Sequence, residues 1–296
     1  MNQTREGVFY GLAAYAWWGL VPIYFHWLGK VSPLDILAHR IVWSAVFLGI
    51  ILTLARRWPE VVRCFRTPAI LLPLFCSAWL VASNWLLYIT AVHLDDIVQA
   101  SLGYFILPLF SAVLGFIIFR EKLRPIQQAA IGVAFVGTAL LTWDVGRFPW
   151  LALALALSFG VYGMIRKKVP VDGLIGLAVE TFLLVPIAGA YLAVGYWQRQ
   201  ELEGAELLSK LALSGVVTAI PLLCFGQAAR RLPFAMLGFM QYISPSVQFL
   251  LAVFLFEEKV QGGWLNYGLV WTALVIFSID SYLWYRRHRL GRQAQG

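Results

Sequence analysis

Apolar residues run through this chain in long blocks, separated by charged or Pro/Gly-rich breaks. Ten blocks stand out, at about 7–28, 34–55, 69–92, 97–119, 126–143, 149–165, 172–194, 207–229, 235–256 and 264–285. A helix that crosses a bilayer needs about 20 apolar residues, and each block comes close to that length. The connections are short, the longest running from Tyr196 to Glu206, so no soluble domain fits between them. The first block is long for a signal peptide and lacks a small-residue cleavage site, so it is expected to remain as a span.

Composition excludes the soluble alternative. At 296 residues the chain is long enough for two soluble domains, but 60% of it is hydrophobic and 13% charged, with mean hydropathy +0.75. A soluble fold carries roughly 25% charged residues, so the surplus apolar surface requires a lipid bilayer as partner. A net charge of +8 and a pI near 9.5 suit either nucleic acid or a membrane protein. The placement of the charges decides between them. Seventeen Lys and Arg fall at the amino terminus, in alternate connections (Arg166, Lys167 and Lys168 in the one after the sixth block) and at the carboxyl terminus, against five on the other side, with Arg40 inside a span. That asymmetry predicts an inner-membrane protein with both termini in the cytoplasm, and it accounts for the charge with no nucleic-acid partner. Cys64, Cys76 and Cys224 and the four histidines form no CxxC, HExxH or other ligand spacing, so neither metal nor cofactor is expected.

The two halves echo each other at an offset near 137 residues. Pro108 precedes Glu121-Lys122 by 13 residues, and Pro245 precedes Glu258-Lys259 by the same 13. Asp35, opening the second block, matches Asp172, opening the seventh, and Leu102-Gly103-Tyr104-Phe105 resembles Leu237-Gly238-Phe239. Five spans in each half, an odd number, turn the second half over relative to the first. The predicted fold class is an all-α polytopic membrane protein, with ten transmembrane helices as two inverted five-helix repeats, 1–145 and 146–296, around a central cavity. Loop charges agree: Arg120, Glu121, Lys122 and Arg124 sum to +2, whereas Glu257, Glu258 and Lys259 sum to −1. Inverted repeats with a site at their interface are the architecture of many secondary transporters.

Several local patterns carry a resemblance over nearly the whole chain. The first half has Ala14-Tyr15 with Trp18-Gly19 and Pro22, His39-Arg40 with Trp43-Ser44, Asn84-Trp85-Leu86-Leu87, and Ala100 to Phe105. The second has Tyr162-Gly163 with Arg166-Lys167-Lys168, Glu180-Thr181, Pro221 to Phe225, and Gln241-Tyr242-Ile243 with Pro245. On these the chain resembles the EamA branch of the drug/metabolite transporter superfamily, and within it the RarD-type (chloramphenicol-sensitivity) proteins. The resemblance implies ten helices, two inverted repeats and a central cavity, and leaves the substrate open. One position departs from it, since Leu107 stands where RarD-type proteins tend to have Asn before the proline of the fourth span.

Residues that are expensive to bury in a bilayer are the first functional candidates. Glu180, about eight residues into the seventh span, reads either as a site for a coupling proton or substrate amine, or as a carboxyl capping a helix break near Pro170 or Pro186. Arg40 reads as an anchor for a substrate carboxylate, as part of an external gate, or as a side chain snorkelling to the interface. Asn84 and Gln241 either hydrogen-bond substrate or tie helices together. With Tyr15, Trp18, Trp85, Tyr88, Tyr104, Tyr162 and Tyr242 they would make a polar and aromatic lining for an amphipathic solute. Pro108 and Pro245, at matching repeat positions, are the hinge candidates. Gly7 and Gly11 form a GxxxG suited to close helix packing. Asp280 is expected to form a plain ion pair at the cytoplasmic edge, and Asp95-Asp96 to be solvated in an external loop.

The leading function is therefore a secondary transporter, exporting a small organic metabolite or amphipathic drug by alternating access. Its partners would be the small-molecule substrate, the lipid bilayer, a coupling proton and a second copy of the chain. No GxxxxGK[ST] motif is present, so ATP is not expected to drive it directly. A membrane-embedded enzyme and a non-transporting receptor or scaffold are the alternatives.

Overall fold

In hydrocarbon the backbone has no water to bond, so a single crossing segment satisfies its own amides as a helix. The computed structural model describes residues 3–29, 31–93, 97–146, 148–199, 204–255 and 264–293. The first half forms α1 (Gln3–Leu28), α2 (Pro33–Leu54), α3 (Trp58–Phe65), α4 (Pro68–His93), α5 (Ile97–Phe119) and α6 (Pro125–Val145). The second forms α7 (Trp150–Lys168), α8 (Gly173–Arg199), α9 (Ala205–Arg231), α10 (Phe234–Met240), α11 (Ile243–Phe254) and α12 (Trp264–Gln293). Eight of these, α1, α2 and α4 to α9, are long and apolar enough to cross a bilayer. Large apolar side chains such as Leu54, Phe116, Phe135 and Ile187 point outward, a surface that lipid tolerates and water does not.

Two details depart from a simple reading of the apolar blocks. The connection after α2 is itself a short helix, α3, which tucks Val61 and Cys64 inward and stacks Trp58 on Phe182 of α8 at 5.6 Å. The ninth block is divided at Gln241-Tyr242 into α10 and α11. Pro245 has no N–H to offer the Gln241 carbonyl. The chain there tightens to three-residue spacing, with Tyr242 N on Phe239 O and Ser244 N on Gln241 O, both at 3.2 Å. Its repeat counterpart Pro108 has a different effect, because α5 runs unbroken through it.

Two carbonyls freed by prolines find partners in the opposite half. Pro22 releases the Trp18 carbonyl, which accepts Gln248 Nε2 at 3.2 Å. Pro221 releases the Val217 carbonyl, which accepts Trp17 Nε1 at 3.2 Å. Near Pro108, the Phe105 carbonyl accepts the Tyr242 hydroxyl at 3.2 Å.

The halves interleave. α1 packs on α9 and α11, α2 on α8 and α9, α4 on α7 and α8, α5 on α7 and α10, and α6 on α12. Small residues set the closest approaches. A Cβ on Gly11 would lie 2.6 Å from Met240 Cε, and one on Gly215 would lie 2.3 Å from the Trp43 carbonyl carbon.

Ion pairs gather at the end of the bundle that carries the basic clusters. Arg57 meets Glu60 and Asp172 at 2.5 Å each, Arg124 meets Asp280 at 2.5 Å, and Arg231 meets Glu6 at 3.4 Å. Asp280 thus pairs across to α6; the side chains of Arg286 and Arg287, like Asp95-Asp96 and Glu257-Glu258-Lys259, lie outside the described residues. The Arg57 guanidinium holds the Glu60 carboxyl below its ordinary range. Burial works against the Asp172 carboxylate, but the Ile175 N–H and Arg57 outweigh it and hold that carboxyl low as well.

Candidate functional site

Between the halves lies a cavity of about 630 Å³, including the part open to solvent. Every helix that lines it does so from its middle or from the half remote from the ion pairs. Tyr15, Trp18 and Phe25 come from α1, Arg40 from α2, Asn84, Trp85 and Tyr88 from α4, and Tyr104 and Leu107 from α5. Phe159 of α7 and Gln241, Ser244 and Gln248 around the α10–α11 break complete the wall. On the side facing the ion pairs the cavity ends on packed rings. Trp18 meets Phe159 edge-on at 5.6 Å, Phe159 lies 5.3 Å from Phe225, and Tyr162 stacks on Phe225 at 5.8 Å.

The polar wall residues are held by neighbouring helices. Asn84 Nδ2 donates to the Leu155 carbonyl and to Ser158 Oγ, both at 2.9 Å, tying α4 to α7. Gln241 Oε1 accepts from Ser111 Oγ at 3.3 Å. Tyr88 and Tyr104 meet edge-on at 5.5 Å. Arg40 is 8% exposed and donates Nε to Thr218 Oγ1 at 2.8 Å. Its guanidinium lies 4.4 Å from the Trp85 ring and 5.8 Å from that of Phe25. A smaller cavity of about 330 Å³ shares Arg40 and Trp85 with the first and reaches Ser44, Thr181, Thr218 and Glu180.

Glu180 sits in a buried cluster. Ser77 Oγ donates to its Oε1 at 2.5 Å, and Arg166 Nη1 lies 3.7 Å from the same oxygen. Arg166 donates Nη2 to the Gly173 carbonyl at 3.2 Å and is 2% exposed. In the sequence it reads as the first of three basic loop residues; in the structure it points into the protein from the last turn of α7. Glu180 Oε2 and Arg166 Nε and Nη1 have no hydrogen-bond partner among the described residues.

Of the residues singled out in the sequence, Tyr15, Trp18, Arg40, Asn84, Trp85, Tyr88, Tyr104 and Gln241 share the larger cavity, and Glu180 borders the smaller one. Tyr162 belongs to the ring cluster beneath the cavity. Tyr242 points to the Phe105 carbonyl between α5 and α10. Sequence reasoning missed Ser77, Thr218 and Gln248, ordinary polar residues in apolar blocks, and it assigned Arg166 to a loop. It also missed Glu121, whose carboxylate accepts Phe234 N at 2.5 Å and Ala235 N at 2.9 Å, capping α10 from the α5–α6 connection.

Comparison with known proteins identifies the group. The model of the EamA-like transporter family matches residues 5–143. Protein RarD of Salmonella typhi is 43% identical over 95% of this chain and 97% of its own, and Protein RarD of Escherichia coli K12 is 40% identical over 97% and 98%. The chain belongs to the EamA-like transporter family, as a RarD-type member. An uncharacterized transporter of Vibrio cholerae is similar as well, 42% identical over 94% of both chains. A solved crystal structure at 21% identity shares the fold, with a TM-score of 0.67 over 95% of this chain and 98% of that one. With eight long apolar helices among the described residues, this EamA-family chain is a multi-pass membrane protein and, in general terms, a transporter. Leu107 lines the cavity wall.

Proposed function

We propose that this EamA-family protein is a secondary transporter that exports a small organic metabolite or amphipathic drug across the inner membrane by alternating access. One observation carries the reading: an aromatic and polar cavity between the halves, sealed on one side by packed rings and, behind them, by ion pairs. With both termini placed in the cytoplasm by the basic asymmetry, the sealed side is cytoplasmic and the structure represents the outward-facing state.

Ten spans in two inverted repeats, 1–145 and 146–296, fit the packing. Exchange of each span for its counterpart five spans along turns α1–α9 into α7–α4, α1–α11 into α7–α5 and α2–α9 into α8–α4, all of them observed neighbours. We assign the coupling proton to Glu180, a buried carboxyl with one oxygen unpartnered among the described residues. Pro108 and Pro245 are the proposed hinges.

Flux into proteoliposomes tests the reading, with a panel of amino acids, purine-like metabolites and chloramphenicol. Saturable flux of at least one compound is expected, with dependence on a pH gradient that Glu180→Gln removes. Flux equal to that of protein-free vesicles for every compound would count against a carrier.

A further inference from the structure

Among the described residues that line it, the larger cavity holds a full positive charge and no negative one. Arg40 is more than nine-tenths buried, and among the described residues no carboxylate pairs with it. The guanidinium makes one hydrogen bond to a described residue, from Nε to Thr218. Its two terminal nitrogens, the fork that matches a carboxylate, are left for an occupant. Trp85 and Phe25 supply ring faces that favour the cation without neutralising it. Held this way inside the protein, a charge raises the local concentration of anions. The remaining walls, Trp18, Tyr88 and Tyr104 with the amides of Asn84 and Gln241, suit a flat apolar body with few polar atoms. A substrate ammonium would find rings and amides there and no described acid.

We infer that the cavity takes organic monoanions, specifically aromatic carboxylates, with the carboxylate on the Arg40 fork and the ring between the aromatic walls. The assignment deepens the transporter reading and rests on it for use across the membrane, but it is decided by binding alone.

Four ligands of nearly one shape separate the possibilities: indole-3-acetate, its neutral amide indole-3-acetamide, the cation tryptamine and the zwitterion tryptophan. Binding to the purified full-length protein in detergent is measured by displacement of labelled indole-3-acetate and by thermal shift. The anion should bind roughly tenfold or more tightly than the other three, the size of one charge-assisted contact. Arg40→Gln should abolish that preference and leave amide binding within a factor of about two, while Arg40→Lys keeps part of it. Equal binding of all four ligands, preference for tryptamine or tryptophan, or failure of indole-3-acetate to bind at millimolar concentration overturns the inference. Should Arg40→Gln not fold, the wild-type ranking of the four ligands decides. Anion binding without flux in proteoliposomes would sink the transporter reading and leave this site standing; flux without anion preference would do the reverse.

Discussion

The Arg166–Glu180 pair allows a sharp test by double substitution. The two side chains are each 1% exposed and 3.7 Å apart. At that separation, unit charges attract by about 4.5 kcal/mol at an effective dielectric near 20. Removal of either partner strands the other. Arg166→Met leaves a buried carboxylate with Ser77 as its hydrogen-bond donor, and the expected loss is about 3–5 kcal/mol. Glu180→Gln leaves a buried guanidinium on the Gly173 carbonyl, at a comparable cost. Arg166→Met with Glu180→Gln removes both charges and, with them, the cost of keeping both out of water. The double variant should therefore lie within about 2 kcal/mol of the parent. Equilibrium unfolding in mixed micelles, followed by far-UV circular dichroism, measures all four proteins. Additive losses, with the double variant worse than either single one, would refute the view that these groups act as a buried pair.

Three further outcomes are expected. Gly215→Ala drives a methyl into the Trp43 backbone at 2.3 Å and should cost about 1–3 kcal/mol or more, whereas Gly132→Ala meets open space and should gain about 0.5–1 kcal/mol; thermal melts that rank them the other way would contradict the packing. The carboxyls of Asp172 and Glu60 are held low in the fold, so their contribution is present above the ordinary carboxylate range near pH 4 and is lost as pH falls below it. Arg57→Gln should flatten that acid sensitivity by about 0.2–1 kcal/mol, a small value because the pair is partly solvated, and an unchanged pH profile would remove Arg57 as the cause. Leu107→Asn places an amide in the cavity wall and should raise affinity for indole-3-acetamide severalfold, about one hydrogen bond; an unchanged ligand ranking would mean the position does not select.

Long apolar blocks dictate helices, which is why the positions of α1, α2 and α4 to α9 were readable from hydropathy alone. Scarcity of charge also made Arg40 and Glu180 conspicuous. The partner of Glu180 was not readable, because Arg166 precedes two lysines and looks like a loop charge, and only the fold shows that it turns inward. The division of the ninth block was also hidden. Pro108 and Pro245 occupy equivalent sequence positions, yet one helix continues and the other breaks. A proline removes one donor wherever it stands, and neighbouring side chains decide whether the helix survives. Tyr242 illustrates the same limit: an aromatic residue beside Gln241 in sequence, it points to the Phe105 carbonyl and ties two helices together.

The proline-freed carbonyls have a mechanical consequence. A bare kink lets one helix flex independently, as a lone joint would. Here the joint in α1 is grasped by Gln248 of α11, and that in α9 by Trp17 of α1. A change of bend in either helix has to drag a residue of the opposite half with it or break the hydrogen bond that joins them. The two halves are therefore geared: a movement begun in one is passed to the other at the places where each is weakest.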